Sequence, residues 1–532
     1  MLIQRKFLPS LAAALLWLMT SAASAATYYV ATTGSDSTGD GSTANPFKTI
    51  GAGLNKMASG DTLIVKAGVY QDKANFINPR INKVPSGAPG KYTTIMAETP
   101  YSVRIKNTAA LDYYDNLVLL DGSYVRVDGF VFEQVNTQYP PTTGFMAGNH
   151  NKITRTIYKR VGKTENYGGW FWMGGTDNLL EDCAGVGSAR YGFAIGGPTD
   201  NAQRLIIRRC VGRVDYSIST EPKATFNVYG NDNGNTNVRD ILLQNCIAVD
   251  GRKGPTTGDV TYGAFYFPKN PLNVTLQGNI ALNVESEYAD FFIKEMLGDN
   301  IKMVNSVAWG AKAPSGIRAN GTSSNTSLSL DHVTVGGHAS AYYNKDAAGA
   351  RVLTNSLFVN NTALADGSDA GWSTMTNNGF FPTTQLKGLN PLSATSSTLK
   401  YIVRPEAGSI LSSKATDGGD VGATITKRYG KSGTLWGESG YDQLTTESLW
   451  PWLYEDHIKA VFAESNPAPS GAVPSTNDTT RGFAGSTDAF GKPQTLTRYI
   501  WQYLNNQIPA DIYGTAPAPL QAPSGLKATL VK

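Results

Sequence analysis

The sequence is poor in the residues that place most proteins quickly. It has three cysteines in 532 residues, too few and odd in number for a disulfide framework. Their positions agree with that exclusion. Cys183, Cys210 and Cys246 stand at the same place in three successive repeats, and the column continues as Asn279, Ser306, His332 and Ser356. A stack of small inward side chains fits such a column better than bridges do. Charge is scarce too: charged residues make up 17%, and the net charge is +4. No basic tract of the kind that grips nucleic acid is present, so that class of partner is excluded. Beyond residue 25 no apolar run approaches the roughly 20 residues of a membrane-spanning helix. The leucine framework of leucine-rich repeats is absent, and period-2 alternation excludes helical repeats.

What the chain has instead is glycine, 56 residues of it, with Asn, Thr and Ser throughout. That profile suits turn-rich β structure. The start differs: Arg5 and Lys6 precede an apolar run from Leu8 to Met19, and Ala23-Ser-Ala25 offers a small-residue cleavage site. The pattern predicts a signal peptide over 1–25 and a secreted product, extracellular or periplasmic.

From Tyr167 to about Asn361 one unit recurs seven times. Its first strands read Trp170-Phe-Trp-Met173, Gly192-Phe-Ala-Ile195, Thr225-Phe-Asn-Val228, Ala264-Phe-Tyr-Phe267, Asp290-Phe-Phe-Ile293, Gly316-Ile-Arg-Ala319 and Ala341-Tyr-Tyr-Asn344. Its second strands end at the column that begins with Cys183. Equivalent column positions are 27, 36, 33, 27, 26 and 24 residues apart. A period of this size marks a solenoid, whose units bury their apolar faces only by stacking. The spacing varies in the loops, chiefly Glu221 to Ala224, Asn231 to Asn237 and Lys253 to Tyr262. On a solenoid such insertions gather on one face. An earlier coil lies in Leu117 to Glu133, with Asp-Gly turns.

Ahead of the repeats stand Tyr28-Tyr-Val30, Gly34-Ser-Asp36, Asn45-Pro-Phe-Lys-Thr-Ile50, Asp61-Thr-Leu-Ile-Val65 and Ala67-Gly-Val-Tyr70. Ile50, Leu54 and Met57 at helical spacing predict a short helix that covers the open end of the stack. This opening resembles that of secreted right-handed parallel β-helix proteins, including pectate-lyase and alginate-lyase-like families. The resemblance implies an all-β, right-handed parallel β-helix over 26–425. Residues 426–514 read as a partly helical accessory segment, with helices from Glu455 to Glu464 and Leu496 to Asn505, that caps the last coil or folds back along it. Residues 515–532 read as a linker and the first strand of a fibronectin type III-like module.

Alternation along the first strands sets Phe291 and Ile293 inward and Asp290, Phe292 and Lys294 outward. Stacking then makes one outward lane of Trp172, Ala194, Asn227, Tyr266, Phe292, Arg318 and Tyr343. Beside it runs a second lane of Gly174, Gly196, Tyr229, Pro268, Lys294, Asn320 and Lys345. Exposed aromatic faces cover sugar rings, and Lys and Arg neutralise uronate carboxylates. An acidic polysaccharide is therefore the expected partner, bound by a monomer. Cleavage by β-elimination needs a base beside a neutralised carboxylate. Lys294 is the candidate base, with Arg318 as the neighbour that tunes it. Calcium is the candidate cofactor, held by Glu285, Glu287, Asp290 and Asp259. Alginate lyases and chondroitinase B of one β-helix family carry a Glu-x-Glu calcium pair, then Lys, then Arg one coil later. This sequence is similar in order, with Glu285-Ser-Glu287, Lys294 and Arg318. It differs in spacing, by two residues between the Glu pair and Lys294, and in having Arg318-Ala-Asn for the family's Arg-His-Gly. The dense Asp cluster of other β-helix pectate lyases is missing. The expected function is a lyase-like enzyme acting on a uronate-containing polysaccharide. The alternatives are a non-catalytic glycan-binding scaffold or a glycoside hydrolase.

Overall fold

The computed structural model describes residues 25–513, except 110, 113–114, 136–141, 162–167, 198–200, 216–222, 231–236, 253–260, 295–298, 311, 321–325, 346–349, 367–370, 396–397 and 465–478. The predicted signal peptide up to residue 24, Asp259, most of the long insertions and the linker after residue 514 lie outside the described residues.

The strands are short because a turning residue closes each one. After the strand Leu179–Glu181 the backbone reverses at Asp182 (φ 55°) and enters Ala184–Gly187; Tyr191–Ile195 follows, and the next coil begins at Ala202–Arg208. The same left-handed corner recurs at Arg209, Asn245, Gly278, Asn305, His332, Asn355 and Asn377, with φ between 49° and 69°. Asn, Asp and Gly tolerate this conformation best. Most coils lay one strand in each of three sheets, which have 14, 13 and 10 strands, all paired in parallel with the coils before and after. The chain is an all-β parallel β-helix.

The inside is filled by ladders one residue wide. Phe193, Phe226, Phe265 and Phe291 stack in register with ring centroids 5.4, 4.8 and 4.6 Å apart. Each is almost fully buried, which contributes about 1.5–3 kcal/mol per ring. Cys183, Cys210 and Cys246 are free thiols in the core, their sulfurs facing backbone carbonyls such as Glu181 O at 3.2 Å and Arg208 O at 3.4 Å. The column they start is not continued by His332. Val307 pairs with Thr334, so Val333 takes the inward place and His332 falls on the turning residue, beneath Asn305. There it is half-buried, with Nδ1 3.2 Å from Asp331. Counting from the strand's last residue misplaced it by one, because a left-handed corner accepts His as well as Asn.

The predicted capping helix forms over Ile50–Lys56, with Thr49 accepting a bond from Ala52 N. Ile50, Leu54 and Met57 close the first end of the core against Val30 and Leu63. At the other end the chain turns back along the solenoid. The helices Glu455–Phe462 and Leu496–Trp501 form, the second stopping four residues short of the predicted Asn505. Trp450, Trp452, Phe462, Phe483 and Trp501 cover the apolar outer face of the second sheet, including Val211, Ile247, Ile280 and Val307. Ion clusters pin this segment. Glu464 accepts from Arg104 and Lys159 at 2.5 Å each, and Asp215 joins Arg213 at 2.5 Å to Arg481 at 2.9 Å.

Candidate functional site on the third sheet

With the second sheet covered, the outer face of the third is where a ligand can approach. The strand register makes Trp172, Ala194, Asn227, Tyr266, Phe292, Arg318 and Tyr343 successive neighbours, as the alternation predicts. Asn320 and Lys345 pair in the second lane; the Lys345 side chain is outside the described atoms.

Two expectations fail here. The first lane is not an open surface: Asn227 is 1% exposed, and Tyr266 and Phe292 are 3% exposed. A second aromatic layer lies on it. Tyr262 and Tyr288 each stand four residues before a lane residue and fold over it, at 4.9 Å from Tyr266 and 5.1 Å from Phe292. Tyr191 adds to this layer, edge-on to Trp172 at 6.1 Å. The four-residue spacing Tyr262–Tyr266 and Tyr288–Phe292 is a signal in the sequence that strand alternation alone passes over. Secondly, Asp290 does not face outward. Ala289 and Phe292 both belong to the outer cluster, so alternation breaks between them and Asp290 turns inward with Phe291. Its carboxylate, 1% exposed, lies 3.2 Å from Nε2 of the equally buried His338. Gly316 leaves the passage: a Cβ there would lie 2.3 Å from Val335 and 3.1 Å from the His338 ring.

Four cations join the aromatic layer. Lys223, brought in just ahead of its strand, holds Nζ 4.0 Å from the Tyr262 ring centroid; Lys294 approaches the same ring at 5.8 Å. Arg190 lies over Tyr191 at 5.2 Å. Arg318 is boxed by Tyr288, Phe292 and Tyr343 at 4.9, 5.3 and 4.3 Å. No carboxylate among the described residues pairs with Arg318; among them its charge is offset by ring faces. Polar atoms are also left over. Neither amide atom of Asn227 has a hydrogen-bond partner, nor do Trp172 Nε1, Arg318 Nε and Asn320 Oδ1, although all are out of water. A buried polar group left unbonded costs about 1–3 kcal/mol. These atoms lie along the two outward lanes of the third sheet, where a hydroxyl-rich ligand would satisfy them.

The acidic residues do not converge. Glu285 lies 3.4 Å from Lys312, Glu287 is exposed on the turn entering the strand, and Asp290 is committed to His338. No group of three metal-ligating side chains occurs among the described residues. The described carboxylates therefore do not fit a calcium ion. Lys294 and Arg318 stand in adjacent lanes one coil apart, since Phe292 pairs with Arg318 and Ile293 with Ala319.

The chain is thus a parallel solenoid of three sheets whose third sheet carries an aromatic and cationic outer face. In structure the chain resembles β-helix polysaccharide lyases. Pectate lyase Pel9A matches it at 14% identity and a TM-score of 0.41, over 75% of this chain and 95% of that one. The PL6 family alginate lyase AlyGC matches at 14% identity and 0.41, over 69% of this chain and 56% of that one. The GH136 lacto-N-biosidase from Eubacterium ramulus matches at 11% and 0.36, over 66% and 67%. The likeness is one of architecture, which the three sheets establish by themselves. No family model matches the sequence, and no curated protein matches it. No described helix is long and apolar enough to cross a membrane.

Proposed function

We propose that the chain is an exported polysaccharide-active enzyme that binds an acidic, uronate-containing polysaccharide along the third sheet and cleaves it by β-elimination. The observation that carries the reading is the Arg318 box: a guanidinium held between three aromatic rings, with no carboxylate partner among the described residues, in the same lane as the unbonded amide of Asn227. Sugar rings pack on the faces of Trp172, Tyr229, Tyr262, Tyr288 and Tyr343. Arg318 takes the uronate carboxylate, which acidifies the proton on the adjacent carbon. Lys294, neutral and one lane over, removes that proton; its electron pair forms a double bond to the next carbon as that carbon's bond to the leaving oxygen breaks, and the oxygen takes a proton from solvent, leaving an unsaturated uronate. No step is routed through calcium. A role for Glu287 and Asp259 in holding calcium is read by turnover with and without a chelator.

The test is absorbance of the unsaturated product during incubation of the mature protein with pectate, alginate and chondroitin, with calcium present. Product is expected from at least one of them. Lys294→Ala should lower turnover about 100-fold or more, and Arg318→Ala should raise KM as well as lower turnover. No unsaturated product from any of the three sinks the lyase reading; binding without product assigns the groove to a glycan-holding scaffold.

A further inference from the structure

The C-terminal segment does more than cover the second sheet. Around the loop 488–494 and the helix Leu496–Trp501 it forms a half-open cavity of about 250 Å³, lined by Ala489, Gln494, Arg498, Tyr499, Gln502, Tyr503 and Asn505. We propose that this cavity is a second saccharide site, which takes a single sugar ring through two amide acceptors, a guanidinium and two tyrosine rings. It is separate from the groove on the third sheet and does not depend on the chemistry proposed there.

The argument starts from Gln502. The residue is 6% exposed, and its Oε1 is out of water with no partner. Its amide nitrogen is directed to the carboxylate of Asp488. A carboxylate only accepts, so the amide cannot turn over, and its oxygen is fixed as the free end. Gln494 Oε1 is likewise buried and unbonded. Two buried acceptors without donors call for a ligand rich in hydroxyls. Arg498 supplies the converse. It is held at 3.2 Å by Asp488 and lies over the Tyr513 ring at 4.5 Å, so it offers donors from a set position.

The apolar surface is equally fixed. Tyr499 donates its hydroxyl to Asp250 Oδ1 at 2.7 Å, on the corner where the second sheet turns toward the third. Tyr503 stands edge-on to it at 6.1 Å and 87°. Two rings at a right angle form a cradle for the C–H face of a pyranose. The volume falls just below the roughly 300–1,000 Å³ of drug-sized sites, which limits the occupant to one ring. None of the lining residues is acidic, and Asp488 behind them is neutralised by Arg498. That composition suits a neutral or uronate sugar and disfavours a cationic ligand.

The experiment is titration of the full mature chain with glucose, galactose, mannose, N-acetylglucosamine, glucuronate and galacturonate, followed by saturation-transfer NMR and tyrosine fluorescence. Saturable binding of at least one sugar is expected. Gln502→Leu and Tyr503→Ala should each weaken it about tenfold or more, with Trp172→Ala on the third sheet leaving it unchanged. Gln502 is buried, so circular dichroism must first show each variant folded. Asn505→Gly, at an exposed position whose left-handed backbone (φ 57°) glycine adopts without strain, gives a second reading that does not threaten folding, with weaker binding expected. Absence of binding by all six sugars overturns the proposal. So does binding that survives both cavity variants, or binding that is lost only with Trp172→Ala, which would return it to the groove.

Discussion

Asp290 and His338 meet inside the solenoid with side chains 1% and 0% exposed, so their protonation is tied to folding. Burial pushes the Asp290 carboxyl up to about 6, against the pull of His338. For His338 burial works against the charged ring, but Asp290 and the Ala313 carbonyl carry it above its ordinary value. Both groups therefore hold protons in the native state at pH values where the unfolded chain has released them. The native pair is favoured at low pH. Its contribution is lost as pH rises, first through the window from about 4 to 6 for the aspartate and then above about 6.5 for the histidine. In Asp290→Asn the carboxyl is gone and the imidazole is buried neutral. With its imidazole buried neutral, the variant takes up a proton on unfolding below about pH 6.5, so it should stand below the wild type near pH 4 and gain on it steadily as pH rises to 7. Urea denaturation across that range measures the difference; a difference that stays constant, or that moves against the variant as pH rises, contradicts the pair's role.

The strands that carry the candidate groove and the segment that covers the second sheet were legible to different degrees. The lane order from Trp172 to Tyr343 follows from period-2 alternation, which holds wherever a strand is paired on both sides. It breaks where strands begin, as at Asp290, and at corners, as at His332. Local pattern does not record which way a bulged or left-handed residue points. The upper aromatic layer was missed for a related reason, since Tyr262 and Tyr288 lie before the paired residues. The buried clusters were not legible at all, because their partners are far apart in sequence. Glu181 shows what they contribute. It accepts from Arg209 at 2.5 Å and Arg208 at 3.2 Å, and takes the Gly433 amide at 2.8 Å. The two guanidiniums hold its carboxylate below the usual range although burial opposes them. Glu181→Ala leaves two buried guanidiniums with one fewer counter-charge and frees the turn at Gly433. A loss of about 3–5 kcal/mol is expected by chemical denaturation.

A solenoid has no closed core, and each exposed face of its sheets must be satisfied by something outside the repeat. Here the three faces have different partners. The first sheet meets Leu435, Trp436 and Tyr441 over Leu179, Ile206 and Leu242. The second meets the tryptophans of the C-terminal segment. The third keeps an aromatic and cationic surface of its own. That division explains why strands such as Ile247–Val249 and Ile280–Leu282 are apolar on both faces, a pattern of sheets buried on both sides. It also makes the accessory segment a part of the folded unit, although its composition marks it off in the sequence. A chain ended after Thr426 keeps every coil and the ladders inside them, so its far-ultraviolet circular dichroism should stay close to that of the full chain. It loses Trp450, Trp452, Phe462, Phe483 and Trp501 from over the second sheet. The bared patch, running from Val131 to Val307, is far longer than the isolated apolar spots that soluble proteins tolerate. The truncated protein should bind an apolar dye strongly and self-associate at concentrations where the full chain does not. Monodisperse behaviour with no dye binding would show that the second sheet needs no cover, and that the C-terminal segment is an independent body resting on it.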